Sequence, residues 1–224
     1  MDLLKKKTLA IWDFDGTVVD SEPVHMRAYQ VVFNKVIPEH PQIDSKYYFQ
    51  KVASSGGGPQ KLIEDFPLPF DLAELKKQKK IIYDGFTQDG SIKMFPEVSE
   101  IIMIQRNLGI KVMIASNTDE MTNRQVLKDN NFDPDLIDYY VGPSENMPRK
   151  PKPDMFLHSL KISGFEAQDA IVFEDTHIGV EAGVCAGIDT CYLRAEHNEH
   201  IETPPGCHDT DRFKLLSAYK AIPA

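Results

Sequence analysis

The chain has 224 residues, of which 42% are hydrophobic, and this is enough to bury a substantial core. Its formal net charge of -9 argues against nucleic-acid binding, because such binders need a positive footprint to displace counterions. Three cysteines are too few for a disulfide framework, and an odd number cannot all pair within the chain, so we expect a reducing, cytoplasmic compartment. No apolar run approaches the roughly 18 residues that span a bilayer, and we therefore expect no membrane partner.

The first predicted element is a short strand at residues 8–14. Its central Leu-Ala-Ile-Trp run is typical of a parallel strand that is buried on both faces. The interval that follows, residues 20–95, contains no convincing strand and instead has amphipathic stretches separated by proline and glycine. These stretches predict short helices at 24–35, 45–53, 60–66 and 72–86.

Strand and helix alternate in the rest of the chain. Apolar strand segments lie at 110–115, 170–173 and 189–193, and helical patterns lie at 97–108, 119–130, 153–163 and 178–186. This alternation predicts an α/β fold with a doubly wound parallel sheet covered by helices on both faces. We expect residues 1–19 and 96–224 to form this core, with a small helical domain inserted at 20–95.

Polar side chains follow three of the predicted strands. Asp13 and Asp15 come after the first strand, Ser116 after the second, and Glu174 and Asp175 after the third. The carboxyl ends of parallel strands meet at one edge of a sheet, which is where ligands of such sheets bind. Clustered carboxylates repel one another unless a cation or a proton intervenes, and hard oxygen ligands suit magnesium. The sequence therefore predicts a Mg²⁺ site at this edge.

The segment 13–17, Asp-Phe-Asp-Gly-Thr, resembles the first motif of the haloacid dehalogenase superfamily, whose phosphotransferases use an aspartate nucleophile. The resemblance continues in order with Ser116, Lys150 and the pair Glu174-Asp175, and it extends over residues 8–195. It implies a Rossmann-like core with a small all-helical cap domain inserted after the first strand, as in subfamily I of that superfamily.

The resemblance also implies a role for each motif residue. Asp13 would be the nucleophile that forms an aspartyl phosphate, and Asp15 would be the general acid and base. Asp15 would hold the metal through its backbone carbonyl, and Glu174 would act through water. The implied ligands are Asp13, Asp15, Asp175 and Glu174 for magnesium, and Ser116, Asn117 and Lys150 for the phosphoryl group.

These roles imply a Mg²⁺-dependent phosphatase of a small phosphorylated metabolite, such as a sugar phosphate. We expect a monomer or weak homodimer, although no motif indicates the oligomeric state. Asp15 favours phosphate esters, because haloacid dehalogenases proper usually lack a second aspartate at this place. Two alternatives stay open. A phosphomutase similar to β-phosphoglucomutase would share these residues, and a non-catalytic binder would keep the fold alone, although the intact Asp13, Asp15 and Lys150 disfavour it.

Two residues of the insertion are candidates for substrate contact. His25 lies in a stretch similar to that of β-phosphoglucomutases, where a histidine faces the active site, although it could also be a packed helix residue. Lys51 could bind an anionic group or remain a surface lysine, and segment 51–55 lacks the arginine of the mutase specificity loop. The glycines at 56–58 are expected to form either part of a cap loop that faces the core or a plain turn.

A final polar group contains His197, His200, Cys207 and His208, which could in principle coordinate zinc. Their spacing fits no zinc finger, and the Pro-Pro-Gly run among them is typical of a surface loop. We therefore expect these four side chains to be exposed loop residues.

Overall fold

The computed structural model describes residues 3–38, 43–53, 58–144 and 147–223. Short 3₁₀ turns lie at Leu4–Lys6, Pro134–Leu136 and Ala167–Asp169. The other elements, in chain order, are β1 (Leu9–Trp12), β2 (Val19–Asp20), α1 (Glu22–Val36), α2 (Ser45–Tyr47), a π-helical segment (Tyr48–Ala53), α3 (Gln60–Asp65), α4 (Leu72–Thr87), β3 (Lys93–Met94), α5 (Pro96–Asn107), β4 (Lys111–Ala115), α6 (Glu120–Asp129), β5 (Tyr139–Val141), α7 (Asp154–Ser163), β6 (Ala170–Glu174), α8 (His177–Cys185), β7 (Asp189–Arg194), β8 (His208–Asp211) and α9 (Arg212–Lys220).

Six of the strands form one sheet in the order β5-β4-β1-β6-β7-β8, and every neighbouring pair is parallel. The predicted fold class, a doubly wound parallel sheet with a helical insertion after the first strand, is confirmed. The sequence did not predict the two edge strands. β5 has only three residues, and β8 reads His-Asp-Thr-Asp, so neither carries the apolar run that marks a buried strand.

The register of β1 determines where the strand ends meet. Trp12 is paired with Ile114 of β4 on one side and with Phe173 of β6 on the other. The residues that follow these three positions therefore emerge at the same edge of the sheet.

Alternate residues of β1 pack on opposite faces of the sheet. Ala10 and Trp12 belong to a core cluster that includes residues of α5 and α9, whereas Leu9 and Ile11 belong to a second cluster with residues of α7 and α8. All four side chains are fully buried. Successive side chains of β1 point to opposite faces of the sheet, and all of them are apolar. This pattern explains why the sequence predicted a central strand.

The inserted helices have a hydrophobic cluster of their own, which includes Phe33, Leu62 and Leu75. Where the chain leaves the sheet and returns to it, β2 and β3 pair as an antiparallel ladder that the sequence did not predict, because two-residue strands carry no periodicity. The glycines at 56 and 57 lie outside the described residues, and the division into domains at residues 19 and 96 stays a prediction. No helix in the described ranges is long and apolar enough to cross a bilayer.

Candidate active site

Three carboxylates converge at the carboxyl edge of the sheet. The backbone N–H of Asp13 donates to the carbonyl of Phe173 at 3.0 Å, so the pairing of β1 with β6 continues past the end of β1. Asp13, Glu174 and Asp175 are all buried, and each offers one oxygen within 4.8 Å of the other two. The predicted gathering of acids at this edge is therefore present in the structure.

Lys150 lies inside this carboxylate cluster, although it comes from the loop that precedes α7. Its Nζ lies 2.5 Å from Asp13 Oδ1 and 2.6 Å from Glu174 Oε1, and it donates to the Ala115 carbonyl at 3.0 Å. Burial alone would lower the pKa of Lys150, but the charges of Asp13 and Glu174 outweigh burial and raise that pKa. Lys150 is therefore a fixed cation, whereas Lys152 is exposed.

Burial and like-charged neighbours oppose the ionisation of Asp13. Burial raises the pKa of Asp13 well above its ordinary value, and the charges of Glu174 and Asp175 raise it further against the opposing effect of Lys150. The three buried carboxylates, with Lys150 beside Asp13 and Glu174 and with His197 beside Asp175, form a donor set of hard oxygens. A small divalent cation such as Mg²⁺ fits this set.

Nearby donors orient the two acids at the end of β6. Glu174 Oε2 accepts from the backbone N–H groups of Asp175 and Thr176, at 3.1 and 3.2 Å, and from the Thr176 hydroxyl at 2.9 Å. Asp175 Oδ1 accepts from the Thr17 hydroxyl at 2.7 Å. A Cβ at Gly16, where φ is +76°, would lie 2.2 Å from Asp175 Oδ2. Glycine at this position therefore lets the loop after β1 approach the Asp175 carboxylate.

Asp15 lies between the sheet edge and the inserted helices. Its Oδ2 accepts from the Thr118 hydroxyl at 2.7 Å, and its Oδ1 accepts from the Tyr83 hydroxyl at 3.1 Å. His25 Nε2 is 3.9 Å from the same Oδ1. Thr118 follows β4 and Tyr83 belongs to α4, so the Asp15 carboxylate is held by both the core and the insertion.

His25 is among the described residues that line the same cleft. Its ring stacks on Tyr83 with 4.1 Å between centroids, and its Nδ1 contacts Lys79 Nζ. Burial and the charge of Lys79 lower the pKa of His25 to about 3. Burial also lowers the pKa of Lys79 to about 8. The neutral imidazole can therefore accept from Lys79 at Nδ1 and present an N–H toward Asp15 at Nε2.

We expect the His25 imidazole to stay neutral between pH 8 and pH 5. In the unfolded chain this side chain takes up a proton near pH 6.5, so the unfolded state binds more protons below that pH. The free energy of unfolding should consequently fall as the pH decreases from 6.5 toward about 3. NMR titration of the histidine ring resonances in the metal-free protein tests this, with the chain in concentrated urea as the control. A His25 midpoint near pH 6.5 in the folded protein would contradict the prediction.

The remaining predicted site residues, Ser116, Asn117 and Lys51, do not all lie at the cleft. Ser116 is buried, and its Oγ accepts from the Thr118 backbone N–H at 2.9 Å. Asn117 lines the cleft that contains Asp15, which has a volume of about 520 Å³. Lys51 is exposed on the π-helical segment and is not among the described residues that line this cleft. The structure thus places Asn117 in the cleft with Asp15, and Ser116 next to it in the turn after β4, whereas Lys51 is not among the described residues of this cleft.

The prediction that His197, His200, Cys207 and His208 are exposed loop residues is wrong for His197, for Cys207, which is half-buried, and for His208, which is exposed but begins β8. His197 is buried, and its Nε2 lies 2.6 Å from Asp175 Oδ2, whereas His200 and His208 are exposed. The prediction rested on the polar composition of the segment, which is typical of an exposed loop. In the structure this polar loop folds back onto the end of β6 and buries His197. The candidate metal group found among the described residues is the carboxylate cluster and not these four side chains.

Besides His197, the sequence did not single out Thr118 and Tyr83, which donate to Asp15, or Lys79, which contacts His25. Thr118 stands two residues after Ser116, in the turn that follows the second predicted strand. Lys79 and Tyr83 are four residues apart, so one face of α4 carries both. That spacing was visible in the sequence, but nothing in it showed that this face of α4 turns toward Asp15.

Comparisons with known proteins identify the family of this chain. A family model described as haloacid dehalogenase-like hydrolase matches residues 10–193, which confirms the resemblance. CbbY of Rhodobacter capsulatus is 24% identical over 198 residues, which cover 84% of this chain and 85% of CbbY. Fructose-1-phosphate phosphatase YqaB of Escherichia coli strain K12 is 25% identical over 189 residues, covering 82% and 95%.

Among solved structures, a variant of CbbY from Rhodobacter sphaeroides in complex with xylulose-(1,5)bisphosphate shares the fold, with a TM-score of 0.72. It is 18% identical, and the match covers 91% of this chain and 93% of that protein. The chain belongs to the haloacid dehalogenase-like hydrolase family.

Proposed function

We propose that this chain is a phosphatase that hydrolyses a small phosphomonoester of the sugar-phosphate class, with Mg²⁺ bound and with an aspartyl phosphate formed on Asp13. The observation that carries the proposal is the buried ion pair of Asp13 and Lys150, with 2.5 Å between Oδ1 and Nζ, inside a carboxylate cluster. A carboxylate nucleophile beside a fixed cation suits phosphoryl transfer, in which charge on the moving group must be neutralised. The Escherichia coli relative acts on fructose 1-phosphate, which supports the substrate class.

The first chemical step is an in-line attack of an Asp13 carboxylate oxygen on phosphorus. The bond from phosphorus to the leaving oxygen breaks as the acyl-phosphate bond forms, so one difficult displacement becomes two easier ones. Lys150, held between Asp13 and Glu174, neutralises charge on the transferred phosphoryl group. Water then attacks the phosphorus, inorganic phosphate leaves, and the Asp13 carboxylate is restored.

Asp15 serves as the general acid and then as the general base. It gives a proton to the leaving oxygen in the first step and removes one from the attacking water in the second. Hydrogen bonds from Thr118 and Tyr83 hold its carboxylate at the cleft for both transfers. Since Tyr83 belongs to the inserted helix α4, this contact supports a core domain of 1–19 and 96–224 that works with a cap domain of 20–95.

Magnesium would be held by the side chains of Asp13 and Asp175 and by the backbone carbonyl of Asp15, with Glu174 acting through water. When bound, it neutralises charge on the phosphoryl oxygens and helps to orient the substrate. The chain fixes the two acids at the end of β6 in advance, because the donors of Thr17 and of the 174–176 turn already hold them.

The substrate would lie in the cleft beyond these acids. Ser116 and Asn117, in the turn after β4, would donate hydrogen bonds to the phosphoryl oxygens. The cleft of about 520 Å³ is also lined by Lys79 and Arg149. A space of this size with basic side chains suits a small anionic metabolite.

Phosphate release from a panel of sugar phosphates, phosphoglycolate and nucleoside monophosphates tests the proposal, with Mg²⁺ or with excess chelator. We expect release from sugar phosphates that the chelator abolishes and added Mg²⁺ restores. Release from none of the panel, or release that the chelator leaves unchanged, would contradict the proposal. An isomerised sugar phosphate in place of inorganic phosphate would decide for the phosphomutase.

A further inference from the structure

The loop that follows β7 is tied to the end of β6 by buried hydrogen bonds. Asn198 Nδ2 donates to the carbonyls of Asp175 and Leu193, at 2.8 and 2.9 Å. Its Oδ1 accepts from the Ala195 backbone N–H at 2.8 Å, and Arg194 Nη1 donates to the Asn198 carbonyl at 3.0 Å. Asn198 is almost fully buried, so these bonds fix the path of the loop beside the carboxylate cluster.

This loop places the imidazole of His197 against one of the acids expected to hold the metal. His197 Nε2 lies 2.6 Å from Asp175 Oδ2, and the Thr17 hydroxyl donates to Oδ1 at 2.7 Å. An ionised carboxylate can only accept, so Nε2 carries the hydrogen in this contact. His197 is only 7% exposed and Asp175 only 1%. The Asp175 carboxylate is thus held by one donor on each oxygen.

We propose that His197 is a positioning residue for the metal site, whose hydrogen bond fixes the orientation of the Asp175 carboxylate and so sets the affinity for Mg²⁺. This inference rests on the proposed magnesium-dependent function and concerns a residue beyond the segment that carries the family motifs. Groups that hydrogen-bond to metal ligands typically change metal affinity or activity by about 10- to 100-fold when they are removed.

A purely packing role of the imidazole is the alternative to be separated. The His197 ring lies 6.3 Å, centroid to centroid, from the ring of Phe49 in the π-helical segment. His197→Phe keeps an aromatic ring beside Phe49 but removes the donor to Asp175. His197→Gln removes the ring but keeps an N–H donor at the end of the side chain. A packing role predicts that the Phe variant is the milder one, and a positioning role predicts the reverse.

Isothermal titration of the metal-free, full-length chain with MgCl₂ measures the affinity without any turnover. We expect about tenfold weaker Mg²⁺ binding for His197→Phe, and binding within about twofold of wild type for His197→Gln. His200→Phe is the matched control, because His200 is an exposed histidine of the same loop, and it should bind Mg²⁺ like wild type. Thermal unfolding verifies that each variant folds. If His197→Phe does not fold, His197→Ala replaces it, because His197→Ala also lacks the donor to Asp175 that His197→Gln keeps.

Two results would overturn the positioning role and leave the proposed function standing. The first is a wild-type affinity for Mg²⁺ in His197→Phe, and the second is an equal loss of Mg²⁺ affinity in His197→Phe and His197→Gln. Failure of the wild-type chain to bind Mg²⁺ at all would overturn the magnesium-dependent function, and this inference with it.

Discussion

We expect the Asp13→Asn variant to release phosphate at least about 10³-fold more slowly than the wild-type chain, because an amide cannot serve as the nucleophile. The fold should survive, since asparagine has nearly the same volume as aspartate and Lys150 keeps Glu174 as an ion-pair partner. The substitution also removes a charge from a cluster in which burial and like-charged neighbours already raise the pKa of Asp13. Steady-state phosphate release and a thermal unfolding curve measure the two parts of this prediction.

Asp129→Asn is a suitable control for this comparison. Asp129 is an exposed residue at the end of α6, where its carboxylate accepts a hydrogen bond from Gln125 at 2.8 Å. The same change of chemistry should leave turnover unaltered there. Near wild-type turnover in Asp13→Asn would reject Asp13 as the nucleophile.

Lys150→Met should be damaging in two separate ways. Loss of the cation that faces the transferred phosphoryl group should lower turnover by about 10²-fold or more. Removal of one partner of a buried ion pair should also lower the free energy of unfolding of the metal-free chain by about 3 kcal/mol. The second effect arises because Asp13 and Glu174 would stay buried without their shared counter-charge. Denaturant unfolding followed by the fluorescence of Trp12, the single tryptophan, measures it.

Lys152→Met provides the comparison, because Lys152 is exposed two residues away in the same loop. It should change both quantities little. If Lys152→Met abolished turnover and Lys150→Met did not, the phosphate-binding role would move to Lys152.

The central strands could be predicted because their sequence pattern has a single physical explanation. A run such as Leu9–Trp12, apolar at every position, is stable only where both faces of the strand are covered. β8 has no apolar run of this kind, and the α9 segment was not recognised as a helix from the sequence. The α9 helix begins directly after a polar edge strand, where Asp211 caps it by accepting from the Lys214 backbone N–H at 2.9 Å. Edge elements depend on their neighbours more than on their own pattern, and so the sequence alone did not predict them.

The residues of the candidate site likewise fall into two groups, those that could be placed from the sequence and those that could not. Asp13, Glu174 and Asp175 could be placed together from the sequence, because the parallel register brings the ends of β1 and β6 to one edge. The partners of Asp15 and Asp175 could not be placed in this way. Tyr83 reaches Asp15 through the packing of the inserted helices, and His197 reaches Asp175 through a folded-back loop. Such contacts depend on tertiary packing, which leaves no local periodicity in the chain.

Detection of a phosphoryl group on Asp13 would test the central claim most directly. The wild-type chain would be acid-quenched during turnover of a sugar phosphate that it hydrolyses, digested, and examined by mass spectrometry. The account predicts a phosphorylated peptide with the added mass on Asp13, absent from Asp13→Asn and absent when the substrate is omitted. A wild-type chain that turns over substrate with no phosphorylated Asp13 peptide, or with the phosphoryl group on another residue, would contradict it.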